Sequence, residues 1–296
     1  MNLSALTLLL AGLAPYTHAR PSQNLRGGSG PYPAMYTTDP TLANHTLYHP
    51  QAPYPHLPLP VLIWGNGSCM NNGTAFATFL TELASHGYLV IAPGPPDGTG
   101  ITNSQLMHDA ISWVTGRPGR SPFGPYRTID ANRIAVAGQS CGGLEAYQMC
   151  DEERVKGLGI FNSGFTEGGV GGSAPGFPNQ MKVPSVISEV HKPVFWFLGG
   201  EEDVAYPNGM RDYAALTGQP KWVGNYPVGH MGTYAEPNGG AFGVAAVKWL
   251  DFLLRGDQTA KGFFADGGTE QAGWEETASE GLMRFEGLLK RELRLS

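Results

Sequence analysis

The segment Ile134–Gly143, IAVAGQSCGG, constrains this chain more than any other. A short apolar run ends in Gly138-Gln139-Ser140-Cys141-Gly142, and a helix-compatible stretch, Leu144-Glu-Ala-Tyr-Gln-Met149, follows it. Strand, G-x-S-x-G turn and helix in that order form the pattern of a nucleophile elbow. Such a turn strains the backbone of its serine, and a side chain at either flanking position would clash, so glycine is needed on both sides. With 42 glycines in 296 residues, the pentapeptide alone arises often by chance. Its context, a strand before and a helix after, makes Ser140 a candidate nucleophile and calls for an acid and then a histidine downstream.

The rest of the chain alternates buried strands with amphipathic helices. Pro60-Val-Leu-Ile-Trp64 reads as a short strand broken by Gly65-Asn-Gly67. Phe76, Phe79, Leu80 and Leu83 recur at helical spacing across Thr74 to His86, with Gly87 as the stop. Tyr88–Ala92, Val155–Phe161 and Val194–Leu198 read as further strands, with Trp222–Tyr226 pairing beside the last. Ser104–Val114 and Phe242–Leu254 read as helices. This predicts an α/β domain with a mostly parallel central sheet and helices on both faces. Residues 20–58 read as a loop with edge strands, and 117–127 as a Pro- and Gly-rich loop. Residues 164–184 are glycine-laden, without apolar periodicity, and read as a minimal cap too polar for a greasy lid. The domain spans 20–265, and 266–296 form a tail with room for one more helix.

At 41% hydrophobic and 15% charged, the chain can bury a sizeable core. Its net charge of −6, without a basic cluster, argues against nucleic acid as a partner. The apolar stretch of residues 1–14, ending near Thr17-His18-Ala19, predicts a secretory signal peptide over residues 1–19. It is too short for a comfortable membrane span, and nothing later approaches that length. The expectation is a secreted protein. Sequons at Asn44, Asn66 and Asn72 fit that route, although a glycan on Asn66 would obstruct the expected site. Of the three cysteines, Cys141 and Cys150 would lie about 13 Å apart along one helix, too far to pair. That leaves either a Cys69–Cys141 disulfide or three buried thiols.

The strand ending at Leu198 runs into Gly199-Gly-Glu-Glu-Asp-Val-Ala-Tyr-Pro207. Open α/β sheets place their chemistry beyond the carboxyl ends of strands, so an acid belongs here, and Asp203 is preferred over Glu201 and Glu202. His230 follows in a loop between glycines, past a strand and before the last helix. Of the other histidines, His18, His45, His49, His56, His86 and His108 precede the elbow. His191 precedes the acid. The order Ser140, Asp203, His230 suits a triad in which Asp203 orients His230 and His230 takes the serine proton. An oxyanion hole would use the backbone N–H of Cys141 and that of Asn66 or Gly67. Trp64, Phe165 and Tyr206 are candidates to line the cleft.

Several stretches carry a resemblance: Leu83–Val90 (LASHGYLV), Gly138–Gly143, Asp203–Pro207, Gly229–Gly232 and Trp249–Asp257 (WLDFLLRGD). Over about residues 32–265 the chain resembles the α/β-hydrolase superfamily, and within it the secreted polyesterase and dienelactone-hydrolase-like group that includes bacterial cutinases. The resemblance implies hydrolysis of carboxylic esters, small or extended, without metal or organic cofactor. Two features depart from it. Cys141 stands where a methionine commonly follows the nucleophile, and the group's C-terminal cysteine pair is missing. Two other classes fit the same residues: an acyltransferase or lactone-forming or lactone-opening enzyme of specialised metabolism using the same triad, and a non-catalytic binding protein on the hydrolase fold.

Overall fold

The computed structural model describes residues 27–51, 54, 56–116, 128–165 and 187–285. The expected signal peptide, the 117–127 loop and most of the 164–184 segment lie outside these residues. The strands are β1 (Ala34–Thr37), β2 (His45–Pro50), β3 (Leu59–Gly65), β4 (Leu89–Pro93), β5 (Ile129–Gln139), β6 (Val155–Phe161), β7 (Val194–Leu198), β8 (Lys221–Asn225) and β9 (Glu275–Glu280). The helices are α1 (Ala77–Ser85), α2 (Gln105–Gly116), α3 (Cys141–Tyr147), α4 (Tyr206–Ala215), α5 (Gly240–Arg255), α6 (Gln258–Ala265) and α7 (Gly268–Gln271).

All nine strands form one sheet in the order β1-β2-β4-β3-β5-β6-β7-β8-β9. From β4 to β8 every pairing is parallel. The β1–β2, β2–β4 and β8–β9 pairings are antiparallel. This is a mostly parallel α/β architecture, as the alternation of elements predicts.

The two-residue period of a strand sorts the core into two layers. Leu62, Trp64, Val90, Ala92, Ala135, Ala137, Phe195 and Phe197 point to the face covered by α1, α5 and α6. Val61, Ile63, Leu89, Ile91, Ile134, Val136, Val194, Trp196 and Leu198 point to the opposite face, under α2, α3 and α4. Burial on both faces explains why these strands read as unbroken apolar runs. Each large side chain removed from water here contributes about 1.5–3 kcal/mol. Helix α5 ends where Gly256, at φ +67°, turns its N–H back to Asp251 and Phe252 carbonyls; the left-handed conformation favours glycine there.

The sheet departs from the sequence reading at its carboxyl end. For residues 266–296 the sequence allows one more helix; the structure has the short helix α7 there, followed by β9, which the sequence does not predict and which pairs antiparallel with β8. Strand β9 is an exposed edge reading EETASE, polar on both faces, so apolar periodicity carries no signal for it. The folded unit therefore runs to at least 285. No helix among the described residues is long and apolar enough to cross a membrane.

Candidate active site

The carboxyl end of β5 delivers Ser140 at φ +53°, ψ −116°, an unusual conformation for a residue with a side chain. Two bonds hold it there. Its N–H donates to the Phe161 carbonyl at 2.9 Å, and its carbonyl accepts from Ser163 Oγ at 2.7 Å. The flanking glycines are required by contact, as the pentapeptide implies. A Cβ on Gly138 would stand 2.3 Å from the Gly142 carbonyl, and one on Gly142 would stand 2.1 Å from the carbonyl of Gly65. The elbow is thus pressed directly onto the end of β3.

Ser140, His230 and Asp203 come together from the tips of β5, β8 and β7. Ser140 Oγ lies 3.0 Å from His230 Nε2, and His230 Nδ1 lies 2.6 Å from Asp203 Oδ1. An ionised carboxylate only accepts, so the imidazole proton sits on Nδ1 and Nε2 is left to accept from the serine hydroxyl. Asp203 is buried, and both its oxygens are occupied. Oδ1 also accepts from the Ala205 N–H at 2.9 Å, while Oδ2 accepts from the Gly199 N–H at 3.1 Å and from Asn162 Nδ2 at 2.9 Å. Burial alone would push the Asp203 carboxyl up. The hydrogen bonds from His230, the Ala205 N–H, Asn162 and the Gly199 N–H outweigh it and hold the group below its usual value. Glu201 and Glu202 are exposed. His230 is half-buried, its carbonyl held by Gln139 Nε2 at 3.0 Å.

The loop after β3 is fastened to the elbow. Cys69 and Cys141 form a disulfide with Cα atoms 5.3 Å apart, which resolves the cysteine alternatives. Cys150 is a buried free thiol; helix α3 ends at Tyr147, so Cys141 and Cys150 do not share it to the end. Within the loop, Asn66 Nδ2 donates to the Met70 carbonyl at 2.9 Å and to the Asn72 carbonyl at 2.8 Å. The Thr102 N–H donates to the Cys69 carbonyl at 2.7 Å. Asn66 and Gly67 therefore follow directly on the contact between Gly65 and Gly142, beside Cys141.

Three expectations need correction or refinement. Trp64 does not line a cleft: it is 1% exposed and packs edge-on against Phe76, Phe161 and Tyr234 and tilted against Phe79. Strand alternation turns it into the core, and the sequence position alone does not show which face it takes. Asn66 is not an open glycosylation site, because its amide nitrogen is buried and committed to two carbonyls. Asn44 is exposed. Asn72 is half-buried, with its carboxamide oxygen accepting from Thr74 N–H and Oγ1. Phe165 and Tyr206 both pack against the core layer under α4. Phe165 stacks on Tyr147 at 4.1 Å, its N–H donating to Asp212 Oδ2 at 2.6 Å, and Tyr206 donates to Glu276 at 2.7 Å.

The sequence does not single out Gln139, Asn162 and Ser163, which bond to His230, Asp203 and Ser140, or Tyr234, which bonds to Asn162. Asn162 and Ser163 follow β6 directly, so the rule that placed Asp203 beyond β7 could have marked them. Gln139 sits inside the pentapeptide and Tyr234 four residues past His230, where no residue-type signal separates a brace from packing.

Comparison with models of known protein families finds no match, and comparison with curated protein sequences finds none either.

Proposed function

We propose that this chain is a serine hydrolase of the α/β-hydrolase superfamily that cleaves carboxylic esters through an acyl-enzyme. The observation that carries the reading is the continuous chain Ser140 Oγ, His230 Nε2, His230 Nδ1, Asp203 Oδ1, with links of 3.0 and 2.6 Å. The topology supports it, since the serine follows β5, the acid β7 and the histidine β8, in the chain order Ser, Asp, His of that superfamily.

In the proposed cycle Ser140 attacks the ester carbonyl as His230 takes the hydroxyl proton, and Asp203 stabilises the imidazolium. The backbone N–H of Cys141, with that of Asn66 or Gly67, receives the developing oxyanion. His230 then gives its proton to the leaving alcohol. Water repeats the sequence, and the acid departs. Every group this needs is a residue of the chain, so no cofactor enters the scheme. The Cys69–Cys141 disulfide supports maturation in an oxidising compartment, in keeping with a secreted protein.

The reading is tested by turnover of p-nitrophenyl esters of increasing acyl length. The wild type should hydrolyse at least the short members, and Ser140→Ala should lose on the order of 10⁴-fold or more in kcat while staying folded. Equal turnover by a purified, folded Ser140→Ala protein would overturn it.

A further inference from the structure

The triad does not end at Asp203. Asn162 follows β6 at φ +44°, a left-handed conformation that asparagine tolerates better than most residues with a side chain, and it is fully buried. Its Nδ2 donates to Asp203 Oδ2 at 2.9 Å and reaches the Gly229 carbonyl, next to His230, at 3.3 Å. One amide group thus touches both the acid and the loop that presents the histidine.

The orientation of that amide is fixed from behind. Asp203, ionised, can only accept, so the Asn162 NH₂ must face it and the carboxamide oxygen must face away. There it meets the hydroxyl of Tyr234, which donates to Asn162 Oδ1. Tyr234 is itself 4% exposed and wedged among Trp64, Phe76, Phe79 and Phe242, so its hydroxyl has one direction to point. Burial, with the nearby Asp203 charge, raises its phenol well above the ordinary value, which keeps it a neutral donor across the working pH range. On this side of Asp203 the protons therefore run from Tyr234 to Asn162 to Asp203, and they meet there the Nδ1–H of His230 coming from the other side.

We propose that Tyr234 and Asn162 are positioning residues that extend the Ser140–His230–Asp203 chain by two members, Tyr234 setting the Asn162 amide and Asn162 holding the Asp203 carboxylate in register with the His230 loop. A carboxylate carrying a single orienting contact on Oδ2 could pivot about its Cβ–Cγ bond. With the Ala205 N–H on Oδ1 and the Gly199 N–H and Asn162 both on Oδ2, Oδ1 is presented squarely to His230. A misplacement of that oxygen would be felt at the serine through the imidazole. The role as brace rests on the hydrolase reading; the hydrogen-bond chain does not.

The test uses Tyr234→Phe, which keeps the ring and its packing and removes only the hydroxyl, with Asn162→Ala as the stronger variant. Two readouts are followed. One is the rate at which a fluorophosphonate labels Ser140; the other is the downfield proton resonance of His230 Nδ1–H. The expected results are a loss in labelling rate on the order of tenfold for Tyr234→Phe and a hundredfold for Asn162→Ala. With a soluble ester, kcat should fall and KM stay within twofold, and the resonance should move in both variants. A merely structural tyrosine would shift the melting temperature and leave the resonance and the kcat/KM split alone. An unchanged labelling rate and unchanged resonance in folded Tyr234→Phe would overturn the proposal, even if Asn162→Ala fails to fold. If the wild type takes no label, the hydrolase reading falls, while movement of the resonance in Tyr234→Phe would still support the five-residue chain.

Discussion

Cys69 and Cys141 are covalently joined across 72 positions of the chain, tying the loop after β3 to the residue that follows Ser140. Of the proposed oxyanion donors, the Cys141 N–H lies on this bridge, and Gly67 and Asn66 stand two and three residues before Cys69. Reduction of the bond, or Cys69→Ala, should lower folding stability by up to about 4 kcal/mol on the loop-entropy account. It should also reduce kcat on the order of tenfold, by loosening the donors in the transition state while leaving substrate binding nearly intact. Thiol counting, denaturant unfolding and ester kinetics on the same samples check this. Full kcat in protein with all three thiols free would show that the bridge does not organise the site.

Asp203→Asn should keep the fold and cost about 10⁴-fold in kcat, since an asparagine no longer selects the Nδ1–H tautomer of His230. Stability should change with pH in a defined direction. The Asp203 carboxyl is held below its unfolded value near 3.9, so its contribution is present above that value and is lost as pH falls through the folded value. The stability gap between wild type and variant should therefore be open at pH 7 and close on acidification below about pH 4. Denaturant midpoints along a pH series measure it.

Beneath the same loop, Glu145 behaves in the opposite sense. It is 1% exposed, and burial pushes its carboxyl up to about 7, against a hydrogen bond from Thr102 Oγ1 that lowers it. A raised carboxyl stabilises the fold in its neutral form, fully below the unfolded value near 4.3 and progressively less as pH rises toward 7. Glu145→Gln removes that loss. The stability of the variant relative to wild type should rise by about 2–3 kcal/mol between pH 5 and pH 8, at 1.36 kcal/mol per pH unit. A flat difference across that range would mean Glu145 is not the titrating group.

Much of the arrangement was legible in the sequence because it is enforced locally. The elbow glycines follow from backbone contacts of 2.1 to 2.3 Å that any Cβ would occupy. The buried stretches Leu59–Gly65, Leu89–Pro93, 134–138 and Val194–Leu198 announce themselves because burial on both faces leaves them apolar. Ser140, Asp203 and His230 stand at the ends of such strands, so their order along the chain carries the geometry. What was not legible depends on partners distant in sequence. Whether Trp64 faces the cleft or the core depends on its pleat direction, which the sequence does not show. Strand β9 has no apolar face and exists because β8 offers an edge. Asn66 reads as a sequon in the sequence, whereas its amide closes its own loop. Asn162 and Tyr234 meet across 72 residues through a hydrogen bond that leaves no mark in composition or periodicity.

Fluorophosphonate labelling of the purified protein, followed by mass spectrometry of the modified peptide, tests directly whether Ser140 is an activated nucleophile. The expected result is a single adduct on Ser140, absent in Ser140→Ala and slowed at least a hundredfold in His230→Ala. A folded wild-type protein that takes no label, or one labelled on another residue with Ser140 unmodified, would contradict it.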